Sequence, residues 1–307
     1  MKNIDILLFF LVSFLFINCQ QRTPEDKITK LDHQNTTNNK EQGDKPIKYS
    51  DLPSTNSPEE ISGNNFVFRN ENILSDSTFD TNKNTVYLTF DDGPLEGTPN
   101  VIDICQNNNV TASFFIVGLH STYSTYGKKT LEKLKNMAPK LEIFNHSYSH
   151  AYNRYNEYYQ HPLRVVNDLK LCYDTLHLHT NICRLPGNNI WITPELKYFR
   201  PQYIRTVEAI DFAKFNVIGW DLEWDFTREC RPVQSVQEML NMVDSSFRNE
   251  KRLKKRKNAV ILMHDNMYRF PSDSIKLDIF IKGLKSRNYQ FATISNYPHF
   301  RKKNIYY

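Results

Sequence analysis

Apolar residues in this 307-residue chain gather, from Thr85 onward, into short and nearly continuous runs that each end in a polar or turn-forming cluster. Residues 85–90, 110–117, 141–144, 216–220, 259–263 and 290–294 are such runs, rich in β-branched and aromatic side chains. Runs of that length and composition read as strands covered on both faces. Two intervening stretches carry helical spacing instead. Residues 128–137 form one, and residues 162–178 form the other, with apolar positions at Leu163, Val166, Leu169 and Tyr173. Strand–helix alternation predicts an α/β domain on a mostly parallel sheet, open or closed into a barrel. No internal repeat is visible.

The first 80 residues follow a different pattern. Lys2 precedes an apolar stretch at 6–17, of the length of a signal-peptide core and short for a membrane span. It ends at Asn18-Cys19-Gln20-Gln21, so residues 1–19 read as a signal or lipoprotein segment with Cys19 as the lipidated residue; a plain cleaved signal peptide is the alternative. Residues 20–80 are polar and charged with few apolar positions, which predicts a disordered tether, apart from a short element at 65–68. The folded domain is then expected over 81–300. Export implies the cell envelope, as periplasm or cell surface, with membrane attachment through an N-terminal lipid.

Charge refines this little. A formal net charge of +5 suits a neutral or anionic polymer and gives no argument for nucleic acid. The one dense basic run, residues 251–257, reads as a solvated helix end ahead of the 259 strand, the alternative being attraction to an anionic polymer or lipid head groups. Besides Cys19, the chain has Cys105, Cys172, Cys183 and Cys230. They form two disulfides in an oxidising compartment or remain buried thiols.

The chemistry concentrates at the ends of the predicted strands. Thr89-Phe90-Asp91-Asp92-Gly93-Pro94 places two adjacent carboxylates where a strand breaks into a turn. Adjacent carboxylates repel, and a bound cation is the usual reason to keep them together. His146 and His150 follow the 141–144 run and, at i and i+4, are expected to share one face of a helical turn. Two histidines and a carboxylate make an open metal site, leaving the second Asp free as a general base. Arg184 precedes a Pro186-Gly187 turn, and His264 ends the 259–263 run. His33, His120, His161, His177, His179 and His299 are expected to stay off the metal.

In this order these motifs resemble the polysaccharide deacetylase family, the NodB-homology carbohydrate esterases, over about residues 85–294. The first motif is matched in full by residues 89–94, the second by His146-Ser147-Tyr148-Ser149-His150, and the last by Leu262-Met263-His264. The resemblance implies an irregular (β/α) barrel with its site at the carboxyl ends of the strands. It implies Asp91 as catalytic base, Asp92, His146 and His150 as metal ligands, Arg184 as the group orienting Asp91, and His264 as general acid. Leu262 would line an acetyl-methyl pocket, and the Gly187 N–H would face the oxyanion.

Two departures stand out. Gly187 occupies the place of the family's aromatic after the proline. In Trp220-Asp221-Leu222-Glu223-Trp224-Asp225, the acids do not align cleanly with the family's fourth motif, so either Asp221 or Glu223 takes the supporting role. Trp220 and Trp224 read as partly core, with Trp224 alternatively a sugar-stacking wall. The implied reaction is metal-dependent removal of N-acetyl groups from a peptidoglycan- or chitin-like polysaccharide, with zinc the default ion and cobalt or nickel as alternatives. An O-acetyl polysaccharide esterase and a non-catalytic glycan-binding lipoprotein are the competing readings.

Overall fold

The computed structural model describes residues 79–300. The segments read above as export signal, tether and the element at 65–68 lie outside the described residues. In chain order the elements are β1 (Thr85–Asp91), α1 (Thr98–Asn107), β2 (Ala112–Ile116), α2 (Gly118–Tyr123), α3 (Thr125–Lys135) and β3 (Leu141–Asn145). There follow α4 (Tyr155–Tyr159), α5 (Pro162–Leu176), β4 (Ile182–Cys183), β5 (Trp191–Ile192), β6 (Lys197–Tyr198), α6 (Ile204–Phe212) and β7 (Asn216–Val217). The last are β8 (Leu222–Glu223), α7 (Val236–Arg248), β9 (Asn258–His264), α8 (Pro271–Ser286) and β10 (Gln290–Phe291).

The strands form one sheet in the order β6-β5-β7-β4-β3-β2-β1-β9-β8, with β10 added beside the start of β1. All ladders are parallel except those of β5 with β6 and β7. No ladder joins β6 to β8 among the described residues, so the expected barrel is an α/β half-barrel. Parallel pairing brings the strands' carboxyl ends to one rim. Asp91 lies opposite His264, Asn145 opposite Ile116, and Cys183 opposite Asn145.

The two faces of the sheet separate by parity along each strand. Val86, Leu88 and Phe90 pack with Val101, Ile102, Leu277, Phe280 and Ile281 beneath the helices. Tyr87 points the other way, into the concave face with Phe115, Phe144, Trp191, Val260 and Leu262. Thr89 and Asp91 share its parity, and both meet Arg184 there. Phe90 stacks on Phe114, and Phe115 on Phe144, with ring centroids 5.3 Å apart in each pair. Each such buried aromatic contributes about 1.5–3 kcal/mol of burial free energy. A third cluster, around Tyr158, Tyr159, Val166, Leu185 and Val217, seats α5 and α6 beside β4 and β7.

Cys105, Cys172 and Cys183 are buried free thiols. Two disulfides among the four downstream cysteines are therefore excluded. Burial pushes the Cys105 thiol up to about 12, so it behaves as a small apolar group. Among the described residues, no helix is long and apolar enough to cross a membrane. The basic run falls after α7, through a 3-10 turn at Glu250–Arg252 and the connection into β9. Several of its charges already have partners: Arg256 pairs with Glu250, Lys255 with Glu195, and Lys254 lies over the Tyr198 ring.

Candidate active site

The site begins where β1 ends. Asp91 closes the strand and faces the concave side, where it is nearly inaccessible at 2% exposure. Asp92 turns the chain away with a φ of 75°, which swings its carboxylate to a different direction from that of Asp91. Gly93 follows because a Cβ there would sit 2.4 Å from Asp265 Oδ2.

The two carboxylates meet different partners. Asp91 Oδ1 accepts a 2.8 Å hydrogen bond from Arg184 Nη1, which also donates to Thr89 Oγ1 at 2.8 Å. Arg184 is wholly buried and donates further to the main-chain oxygens of Ile218 (3.2 Å) and Gly219 (2.9 Å). Its guanidinium lies 4.1 Å from the Phe115 ring centroid. Burial lowers the Arg184 pKa, and the Asp91 charge opposes that shift. A planar fork with four fixed acceptors holds Asp91 in one orientation.

Asp92 instead faces imidazoles. His150 Nε2 is 3.0 Å and His146 Nε2 3.3 Å from its Oδ1, while His264 Nε2 is 4.0 Å from Oδ2. Burial opposes ionisation of Asp92. The His150 charge and the contacts of His146, His150 and His264 outweigh it and hold the carboxyl well below the ordinary range. Burial would depress His150, but the Asp92 charge beside it raises its pKa instead.

These residues fit a divalent cation. Ligand atoms of Asp92, His146 and His150 all lie within 4.8 Å of one another. Asp92 Oδ1 is buried and has no conventional hydrogen-bond partner among the described residues. His146 Nδ1 lies 2.9 Å from the Arg184 carbonyl oxygen, so Nδ1 carries the proton and the Nε2 lone pair points at Asp92. Lone pairs aimed at a carboxylate are repulsive unless a cation or a proton lies between them. A carbonyl behind a ligating imidazole is the arrangement that fixes its tautomer.

The segment carrying the histidines differs from the helical turn expected from their spacing. Ser147 has a φ of 64°, and His150, Ala151, Tyr152 and Asn153 run consecutively at 52°, 55°, 46° and 60°. This is a left-handed turn built without glycine, costing roughly 1–2 kcal/mol per residue. Such outliers persist where surrounding contacts over-determine them, commonly at functional sites. Here Ser147 N–H donates to Asn145 Oδ1, and His150 N–H donates to Ser147 Oγ.

The remaining predicted residues divide. Leu262 lies on the concave face, 3% exposed and two residues before His264. His264 packs its ring edge-to-face on Phe226, centroids 4.6 Å apart, and its Nδ1 is buried without a hydrogen bond among the described residues. Gly187 is exposed at a φ of +67°, and an added Cβ would meet the Tyr155 ring at 3.1 Å. The missing side chain is thus a consequence of the turn's conformation and of Tyr155 lying over it.

Trp224 is not a cleft wall. It has no exposed surface, donates Nε1–H to the Gln234 carbonyl, and packs edge-to-face on Phe280 and Tyr268 beneath the helices. Nor does Asp221 reach His264. Its oxygens accept from the main-chain N–H groups of Lys254 (2.8 Å) and Val260 (2.9 Å), at the end of β9 remote from His264. Glu223 accepts from Trp220 Nε1 at 3.1 Å, and its charge acts on Arg184 more strongly than that of Asp221.

The sequence reading kept His120 off the metal but gave neither it nor Thr89 a role at the site. His120 Nδ1 lies 2.6 Å from the Asp92 carbonyl oxygen, so this histidine steadies the turn behind the ligand without joining the ligand set. Its nearness to the carboxyl end of β2 was the available signal. Thr89 shares the parity of Asp91 and divides Arg184 Nη1 with it.

With this geometry established, similarity to known proteins adds to it. Residues 79–187 match the polysaccharide deacetylase family model. A peptidoglycan-N-acetylglucosamine deacetylase of Bacillus cereus is 28% identical over 224 residues, covering 69% of this chain and 68% of that protein. A family 4 carbohydrate esterase (CE4) of Streptococcus mutans superposes with a TM-score of 0.52 at 23% identity, over 69% of this chain and 86% of its own. The catalytic domain of a peptidoglycan N-acetylglucosamine deacetylase from Eubacterium rectale does so with a TM-score of 0.52 at 20% identity, over 75% and 97%. At those identities the two structures speak for a shared fold.

Proposed function

We propose that this chain, which belongs to the polysaccharide deacetylase family, hydrolyses N-acetyl groups on amino sugars of a peptidoglycan- or chitin-like polymer and releases acetate. The observation that carries this reading is the unequal treatment of two adjacent carboxylates. Asp92 faces two imidazole nitrogens, while Arg184 holds Asp91 turned away from it.

A divalent cation held by Asp92, His146 and His150, zinc by default, supplies Lewis-acid polarisation of the acetyl carbonyl and acidifies water. Asp91 Oδ2 lies 3.7 Å from His146 Nε2 and hence beside the ligand cluster, in place to accept the proton of the attacking water. Arg184 keeps Oδ1 occupied, so the other oxygen takes the proton. His264, paired with Asp91 in the β1–β9 ladder and 4.0 Å by its Nε2 from Asp92 Oδ2, donates a proton to the departing amine. The Gly187 N–H stabilises the developing oxyanion, and Leu262 lines the pocket for the methyl group. The products are acetate and a free amino sugar.

The N-terminal segment fits export, with Cys19 as a lipid attachment point, residues 20–80 as tether and the catalytic unit over 81–300. This places the enzyme in the cell envelope, facing its acetylated polymer. The test is acetate release by the purified protein from peptidoglycan, chitin oligomers and acetylxylan. Release from an N-acetylated glycan is the expected result. Release from acetylxylan alone makes the enzyme an O-acetyl esterase, and retention on glycan without any release leaves a binding module.

A further inference from the structure

We infer that Asp168, a residue of α5 outside the ligand set, is the positioning residue that holds the left-handed His150 turn in its metal-binding conformation. This inference rests on the reading of His146 and His150 as metal ligands.

Asp168 is an acid at a core position. It stands on the buried stripe of α5 with Val165, Leu169 and Cys172, and is 7% exposed. A buried carboxylate needs donors to offset its lost hydration, and nearly every donor found here comes from the histidine segment or the helix after it. Ser149 N–H donates to Oδ1 at 3.1 Å, and Ser149 Oγ–H to Oδ2 at 3.0 Å. Tyr158 of α4 donates its hydroxyl to Oδ2 at 3.0 Å. The Asp168 main-chain oxygen also accepts from Tyr148 N–H at 3.2 Å. One residue further on, the Leu169 carbonyl accepts from Asn145 Nδ2 at 2.8 Å.

The consequence is a clamp on both sides of the turn. Asn145 holds the chain before His146, and Asp168 holds Tyr148 and Ser149 immediately before His150. Tyr158 ties the helix that follows the turn to the same carboxylate. Of the four residues at positive φ, only Asn153 is of a type that visits the left-handed region readily and none is glycine, so the turn carries a steric cost that these bonds help to offset. Without them His150 Nε2 would lose its fixed approach to Asp92. A supporting carboxylate that does not touch the metal thereby sets the metal affinity.

The experiment uses the full chain and compares wild type with Asp168→Ala, Asp168→Asn, Ser149→Ala and His150→Ala. Zinc affinity is read by competition with a chromophoric chelator, ligand geometry by the visible spectrum of the cobalt-substituted protein, and folding by melting temperature of the metal-free forms. Asp168→Ala is expected to weaken zinc binding by about 10- to 100-fold, as loss of an outer support does, and to shift the cobalt spectrum. Asp168→Asn, which keeps an acceptor for Ser149 N–H, recovers part of that loss, and its metal-free melting stays close to wild type. If the alanine variant does not fold, Asp168→Asn and Ser149→Ala carry the comparison, each with a smaller loss. Wild-type zinc affinity and cobalt spectrum in the Asp168 and Ser149 variants overturn the inference. So does an affinity loss that merely tracks loss of metal-free stability. Zinc binding unchanged in His150→Ala is a different result, and it removes the ligand assignment on which the inference stands.

Discussion

At the scale of residues, Asp91 and Asp92 are chemically identical and made different by what surrounds them. Asp91 is tied to a wholly buried guanidinium, and Asp92 to imidazoles. Removing one member of a buried ion pair leaves the other uncompensated, which costs about 3–5 kcal/mol. Arg184→Met is therefore expected to lower the metal-free melting temperature by about 10 °C, since 1 kcal/mol moves a domain of this size by roughly 2–4 °C. Calorimetry checks it, and a melting temperature within a degree or two of wild type contradicts the pairing. Asp91, Asp92, His146, His150, Arg184 and His264 stood out through their order and the family resemblance it carries, and the structure brings them together at one rim of the sheet. Trp224 was left open between core and sugar platform, because an indole fits both equally well until the packing partner is known. The structure gives that partner as Phe280. Asp168 was legible only to a reader asking why an acid occupies the apolar stripe of α5.

At the scale of elements, the long central strands were visible, and among the short ones only β7 and β10 fall within runs that read as strands. β1 and β9 are seven-residue apolar ladders covered on both faces, and their composition states as much. β4, β5, β6 and β8 are two-residue pairings outside those runs, formed by tertiary context with no periodic signal. The i,i+4 histidine spacing suggested a right-handed turn and met a left-handed one, because hydrogen bonds to Asn145 and Asp168 override local preference. Another left-handed residue is tied, among the described residues, through its main-chain N–H to the carbonyls of Asp174 and Tyr173. His177 caps α5 at φ 54°, ψ 48° and is exposed, a position where glycine carries no Cβ penalty. His177→Gly is expected to stabilise the protein by about 0.5–1 kcal/mol, a net of strain relief and unfolded-state entropy. Chemical denaturation measures this directly, and destabilisation would show that the imidazole makes a contribution of its own.

At the scale of the whole molecule, stability and metal binding respond oppositely to pH. Burial pushes Asp221 up to about 6 and Asp265 up to about 8, both above an unfolded carboxylate near 3.9. Burial depresses His150, but its contact with Asp92 raises it overall. All three hold protons more tightly folded than unfolded. Their contributions fade with rising pH, from about pH 4 to 6 for Asp221, to about 8 for Asp265, and above about 6.5 for His150. Asp92 is depressed, so its contribution is lost only as pH falls below about 4, outside that window. Metal-free protein should melt lower at about pH 8.5 than at about pH 5.5, and added zinc should reverse the order because its ligands bind deprotonated. An unchanged or higher metal-free melting temperature at the alkaline end contradicts the assignment. The central claim is that one carboxylate holds the cation while its neighbour moves the proton. Acetate release from peptidoglycan by wild type and Asp91→Asn, each stripped of metal and reloaded with zinc, tests it most directly. Both proteins are expected to take up zinc, wild-type activity to disappear on stripping and return on reloading, and Asp91→Asn to stay about 10²–10⁴-fold slower. Zinc-loaded Asp91→Asn turning over at the wild-type rate would contradict it.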